Sequence, residues 1–238
     1  MSQVAAFITL IIVLIIVIVL CIVFSSKKNK DIIYVFWTGD NPISDNRMNC
    51  LKNLEKISEC KVILINNKNL HLYILENYPL HPAYKFLSAT HKADYLRTYF
   101  MNFYGGGYSD IRNTTGSWKK AFEEMTNNPD AYINGYPELE SMNLMEGLIG
   151  NCSYIAKPNT ELTNQWYNNL LKKLDEKLIH LQQINNTSSV APQESKSEFY
   201  PVEWEEILRE IFHPLLEKYI NSNRILYSVP KPKLDNYR

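Results

Sequence analysis

Apolar runs and amphipathic stretches alternate along this chain, and the alternation predicts its elements. Ile32-Ile33-Tyr34-Val35-Phe36 is unbroken apolar sequence, as expected of a strand covered on both faces, and Thr38-Gly39-Asp40-Asn41-Pro42 ends it. Residues 44–57 place Met48, Leu51, Leu54 and Ile57 on one helical face, and Lys61–Ile65 is a second buried strand closed by Asn66-Asn67. Strand, helix, strand in that order predicts a right-handed crossover. It also predicts a ligand crevice at the carboxyl ends of the strands, where Trp37, Gly39 and Asn66-Asn67 fall. A short helix over 70–77 and a turn at Pro79-Leu80-His81-Pro82 follow. Ala89, Ala93, Leu96, Phe100 and Phe103 then recur at fours and threes, the stripe of an α-helix, with Ser88 or Thr90 as its cap. Gly105-Gly106-Gly107 stops that helix, and Tyr108-Ser109-Asp110-Ile111 reads as a short strand delivering a carboxylate to its end.

The remainder predicts a helix over 118–125, strands over 131–136 and 147–156, and a long helix over 163–184. Trp166, Leu170, Leu174, Leu178 and Leu181 fall at helical spacing in that long helix and read as core. Residues 185–197 are polar and predict a mobile loop, and 200–219 a helix broken at His213-Pro214. The fold class is α/β, with one domain over 31–238 and no internal repeat.

Ahead of that domain, Val4 to Phe24 is uncharged and almost entirely aliphatic. Some 21 helical residues span about 30 Å, one bilayer core, and exceed the apolar stretch of a cleaved signal peptide. Residues 1–30 are therefore expected to be a single-pass membrane anchor, a transmembrane helix with a basic flank at Lys27, Lys28 and Lys30. Those lysines place the domain on the cytoplasmic face; the sequons at Asn113, Asn151 and Asn185 keep a Golgi or ER lumen open. With 25 basic and 25 acidic side chains, the chain lacks the surplus that nucleic-acid binding requires. Four cysteines without tight spacing predict neither a disulfide framework nor a zinc site.

The stretch Ala93-Asp94-Tyr95-Leu96-Arg97, followed by Gly105-Gly106-Gly107-Tyr108-Ser109-Asp110-Ile111-Arg112, carries a resemblance. It is similar to glycosyltransferases with an Asp-x-Asp motif, a group containing yeast-type mannosyltransferases, capsular polysaccharide synthesis proteins and glucosylating toxins. The resemblance implies a GT-A-like, Rossmann-like nucleotide-sugar-binding domain. Such a domain takes a nucleotide-sugar donor and a glycan, lipid or protein acceptor. It also implies that Asp94 and Arg97 grip sugar hydroxyls and that Tyr108 lines the nucleotide side. Asp110 would contact ribose, sugar or a metal-bound water, with Trp37, Thr38, Gly39, Gly106, Gly107 and Asn151 completing the donor site. The pattern's last Asp, which holds Mn²⁺ or Mg²⁺, is here Arg112, whose guanidinium has no lone pair to offer a cation. Three consequences are open: weak metal binding through Asp110, replacement of the metal's charge by Arg112, or a catalytically inactive carbohydrate- or nucleotide-sugar-binding membrane protein. Trp37 equally suits a core position, and Asp94 with Arg97 a surface ion pair. Glu138, Glu140 and Glu146 leave a hydrolase open as well, since hydrolysis needs a second carboxylate.

Overall fold

The computed structural model describes residues 31–138, 147–187 and 200–233. Its centre is a sheet of β1 (Ile32–Trp37), β2 (Lys61–Asn66), β3 (Gly106–Ser109), β4 (Ile133–Pro137), β5 (Ile149–Ala156) and β6 (Ile225–Leu226). The strand order is β2-β1-β3-β5-β4-β6. β1 is parallel to both neighbours, with Ile33 opposite Val62 and Gly107. β5 enters antiparallel between β3 and β4, with Tyr154 opposite Tyr108 and Gly135.

Period-two alternation along β1 sends its side chains to two separate cores. Ile33 and Val35 gather with Cys50 and Leu54 of α1 (Asp45–Ser58) and with Ala121 and Phe122 of α3 (Lys119–Asn127). Tyr34 and Phe36 face the other way, their rings 4.9 and 5.1 Å from Phe100 of α2 (Ala89–Phe103). On that side α4 (Glu161–Thr187) and α5 (Arg209–Glu217) complete the larger core, tied by Trp166 stacked 4.2 Å from Phe212. Each such side chain, fully buried, contributes about 1.5–3 kcal/mol.

Helix α2 starts where Ser88 Oγ accepts the His91 N–H, and ends where Phe100 O accepts from both Tyr104 and Gly105. Gly105 turns the chain at φ +64°, and a Cβ there would lie 2.5 Å from Pro158 Cδ and 2.9 Å from Ala156 O. Only glycine meets both demands, so the chain can reverse directly into β3. The carboxyl ends of β1 and β3 then lie side by side, because the two strands are parallel.

Several elements differ from expectation. Residues 70–77 form only a 3-10 turn over Leu70–Tyr73, since the following backbone bonds elsewhere: Leu75 N–H donates to Tyr99 Oη. A further 3-10 turn, Pro82–Phe86, is capped by His81 and lacks a periodic signal. Residues 200–203 are irregular, 204–208 are turns, and α5 runs through Pro214 without a break. The missing proline N–H deprives Glu210 O of its donor, while burial of Ile211, Phe212, Leu215 and Leu216 holds the helix. The expected membrane span at 4–24 and most of the expected 185–197 loop lie outside the described residues. Among the described residues no helix is long and apolar enough to cross a membrane.

Candidate active site

The carboxyl ends of β1 and β3 open into a cavity of about 410 Å³, bordered by Trp37, Arg47, Arg97, Asp110 and Arg112. A second cavity of about 340 Å³ adjoins it, reaching Asp94, Glu138, Asn151, Cys152 and Arg209. Thr90, Arg97, Asp110, Arg112 and Trp204 line both, so a charged partition separates the two spaces.

Helix α2 supplies half of that partition. It is buried without interruption from Asp94 to Asn102, so residues off its apolar stripe face inward as well. Arg97 Nη2 lies 3.0 Å from Asp94 Oδ1 and 3.6 Å from Asp110 Oδ1, while Nη1 donates to Asn151 O at 2.8 Å. The guanidinium sits 4.3 Å from the centre of the Tyr108 ring. Asp94 is 2% and Arg97 6% exposed, which rules out the surface ion pair that their spacing also allowed. An exposed pair of this spacing contributes a few tenths of a kcal/mol, whereas removing one partner of a buried pair costs about 3–5 kcal/mol.

β3 supplies the other half. Asp110 follows it directly, held by its own N–H donating to Cys152 O at 2.8 Å. Tyr108 Oη donates to Asp110 Oδ1 at 2.6 Å, and Arg112 Nε donates to Oδ2 at 3.3 Å. Burial raises the Asp94 carboxyl to about 7, against the pull of Arg97 and with the push of Asp110. Burial pulls Arg97 down, but Tyr108, Asp94 and Asp110 around it more than reverse that, so it stays charged. The Cys152 thiol is pushed up to about 12 by burial and then by Asp110, which keeps it protonated and unfit as nucleophile or ligand.

Trp37 stands at the cavity edge, partly buried, with Nε1 donating to Asn41 O at 2.8 Å; its inner side packs on the α1 core. Thr38 is at the same edge but spends its hydroxyl on Ala89 O, at 2.6 Å, fastening β1 to the start of α2. Gly39 keeps room for Asn41, whose Oδ1 would lie 2.4 Å from a Cβ. Gly106 and Gly107 have a different place from the one expected. They line neither cavity, because they begin β3 at the end away from Asp110; a Cβ on Gly107 would press on Ile33 and Trp118 at 3.1 Å. Asn151, on β5, lines the second cavity, and its buried Oδ1 has no partner. Glu138 borders that cavity as well, whereas Glu140 and Glu146 lie outside the described residues.

Sequence reasoning missed Arg47, in the first turn of α1, whose Nη1 donates to Ile111 O at 3.3 Å beside the Trp37 ring. Its only signal was position, ten residues after a strand end at the crevice edge. Arg209 was missed too; it and Trp204 come from residues 204–209, which line the second cavity.

A divalent cation does not fit this donor set. Both Asp110 oxygens already accept hydrogen bonds, Oδ1 from Tyr108 and Oδ2 from Arg112, and the Arg97 guanidinium lies a further 3.6 Å from Oδ1. At 4–5 Å and an effective dielectric of about 20, a dication and a guanidinium repel by roughly 7–8 kcal/mol. Among the described residues, no three His, Cys, Asp or Glu side chains are grouped to hold a metal.

The sequence model of capsular polysaccharide synthesis proteins matches residues 23–166, more than half of the chain. The chain belongs to that family. The matched stretch holds Trp37, Asp94, Arg97, Asp110, Arg112 and Asn151, while Trp204 and Arg209 lie beyond it. No curated protein sequence matches the chain. Among solved structures, the PaToxG glycosyltransferase is similar at 11% identity and a TM-score of 0.49, over 81% of this chain and 70% of that one.

Proposed function

We propose that the protein is a glycosyltransferase with a GT-A-like domain, which moves a sugar from a nucleotide-sugar donor to a glycan, lipid or protein acceptor. The observation that carries this reading is the Asp94–Arg97–Asp110 cluster at the adjoining ends of β1 and β3, beside Trp37. Family membership supports the same reading.

The donor occupies the first cavity. Its base lies on Trp37, its diphosphate faces the arginines, and its sugar reaches the partition. Asp94 as carboxylate accepts from sugar hydroxyls, and Arg97, clamped on three sides, donates to them from a fixed position. The acceptor enters the second cavity, where Glu138 takes the proton of its hydroxyl. That oxygen then bonds to the anomeric carbon as the bond to the diphosphate breaks, and the nucleoside diphosphate leaves. Charge develops on the leaving oxygen among guanidinium donors set in place before reaction. The uncharged run from Val4 to Phe24 supports attachment by a single span, with the cytoplasmic face preferred to the lumen.

Incubation with a panel of labelled nucleotide sugars tests this reading. One donor should be turned over, and Asp110→Asn should lower its turnover by about 100-fold, because Arg112 and Arg97 lose the carboxylate that orients them. Binding of a nucleotide sugar with no transfer to any acceptor would support the inactive binding protein instead.

A further inference from the structure

Arg112 stands where the pattern this chain otherwise follows has an aspartate, and the structure gives that exchange a consequence. The first cavity is lined by Arg47, Arg97 and Arg112 against a single carboxylate, Asp110, in a chain whose net charge is zero. Positive charge is therefore concentrated where the proposed donor's diphosphate would lie. Each guanidinium is also held by the protein: Arg47 on Ile111 O, Arg97 on Asp94 and Asn151 O, and Arg112 through Nε on Asp110 Oδ2. A guanidinium already held in place by the protein loses little freedom when it meets phosphate oxygens.

We propose that Arg112, with Arg97 and Arg47 beside it, supplies the counter-charge of a diphosphate, so that this site binds a nucleoside diphosphate group without a divalent cation. The inference rests on the donor-site reading above and deepens it. Asp110 is here a positioning residue. Its Oδ2 holds Arg112, and its Oδ1, fixed by Tyr108, lies 3.6 Å from the Arg97 guanidinium. Arg112 borders both cavities, so the charge it carries also reaches the partition where the bond to the diphosphate breaks.

The test is calorimetric titration of the full-length chain with inorganic pyrophosphate, in EDTA and again in Mn²⁺, for wild type, Arg112→Ala and Arg112→Asp. Wild type should bind equally well in both. Arg112→Ala should bind about tenfold to 100-fold more weakly in EDTA, as expected for losing a charge-assisted pair. Arg112→Asp should lose binding in EDTA and regain it in Mn²⁺, with the Mn²⁺ electron paramagnetic resonance signal broadening only in that variant. Wild type that binds pyrophosphate only with Mn²⁺ overturns the arginine assignment and leaves the donor site standing. Folded wild type that binds in neither condition overturns both readings. If a variant fails to give a cooperative melt, the wild-type comparison alone decides.

Discussion

Asp94 shows how one residue is pulled two ways. The proposed transfer needs its carboxylate ionised to accept from sugar hydroxyls, yet burial lifts it from 3.8 to about 7. The native state therefore holds this proton more tightly than the unfolded chain. Its contribution to stability is fully present below pH 3.8 and is lost as pH rises through about 7. Wild type should lose melting temperature relative to Asp94→Asn across that window, measured by calorimetry at successive pH values. Over the same range kcat/KM of wild type should rise, and Asp94→Asn should be inactive throughout. A melting-temperature difference that does not change between pH 4 and 7 would refute the assignment. The spacing of Asp94 and Arg97 was legible in the sequence, but their burial was not. The apolar stripe marks which side of a helix must be covered and says nothing about whether the other side is covered too.

At the scale of elements, the reversal from α2 into β3 decides the site, because it sets Asp110 beside the end of β1. Gly105→Ala would place a Cβ against Pro158 and Ala156 O at a φ of +64°. Strain of this kind costs about 1–3 kcal/mol, and about 2–4 °C of melting temperature per kcal/mol in a domain of this size. Gly116→Ala is the control, since its Cβ would meet only Pro230, at 3.7 Å. A fall of several degrees is expected for the first and almost none for the second; equal shifts would show that the turn is not under this constraint. The three glycines were legible as a stop. Their division of labour was not: Gly105 turns the chain, while Gly107 makes room for Ile33 and Trp118 across the sheet.

For the molecule as a whole, the two cores on either face of the sheet are built, among the described residues, from positions between 33 and 229, all beyond the N-terminal run. A chain starting at residue 31 should stay in solution without detergent and melt cooperatively, whereas the full-length chain should sediment with membranes. Sedimentation of both, or of neither, would remove the anchor reading.

The sequence alone determined what depends on neighbours along the chain. Five apolar residues in a row made β1, fours and threes made α2 with Ser88 as one of its two candidate caps, and the spacing of Asp94, Arg97 and Asp110 marked out residues that the fold brings together. Where local pattern competed with distant partners it misled, as at 70–77, where Tyr99 captures a backbone donor, and at Pro214, where burial outweighs a lost hydrogen bond. Only the tertiary structure could bring Arg47, Arg97 and Arg112 to one cavity and set Glu138 and Arg209 in the next. These residues lie on separate elements, and charges far apart along the chain have no mutual energy until folding places them within a few ångströms in a medium that screens them poorly.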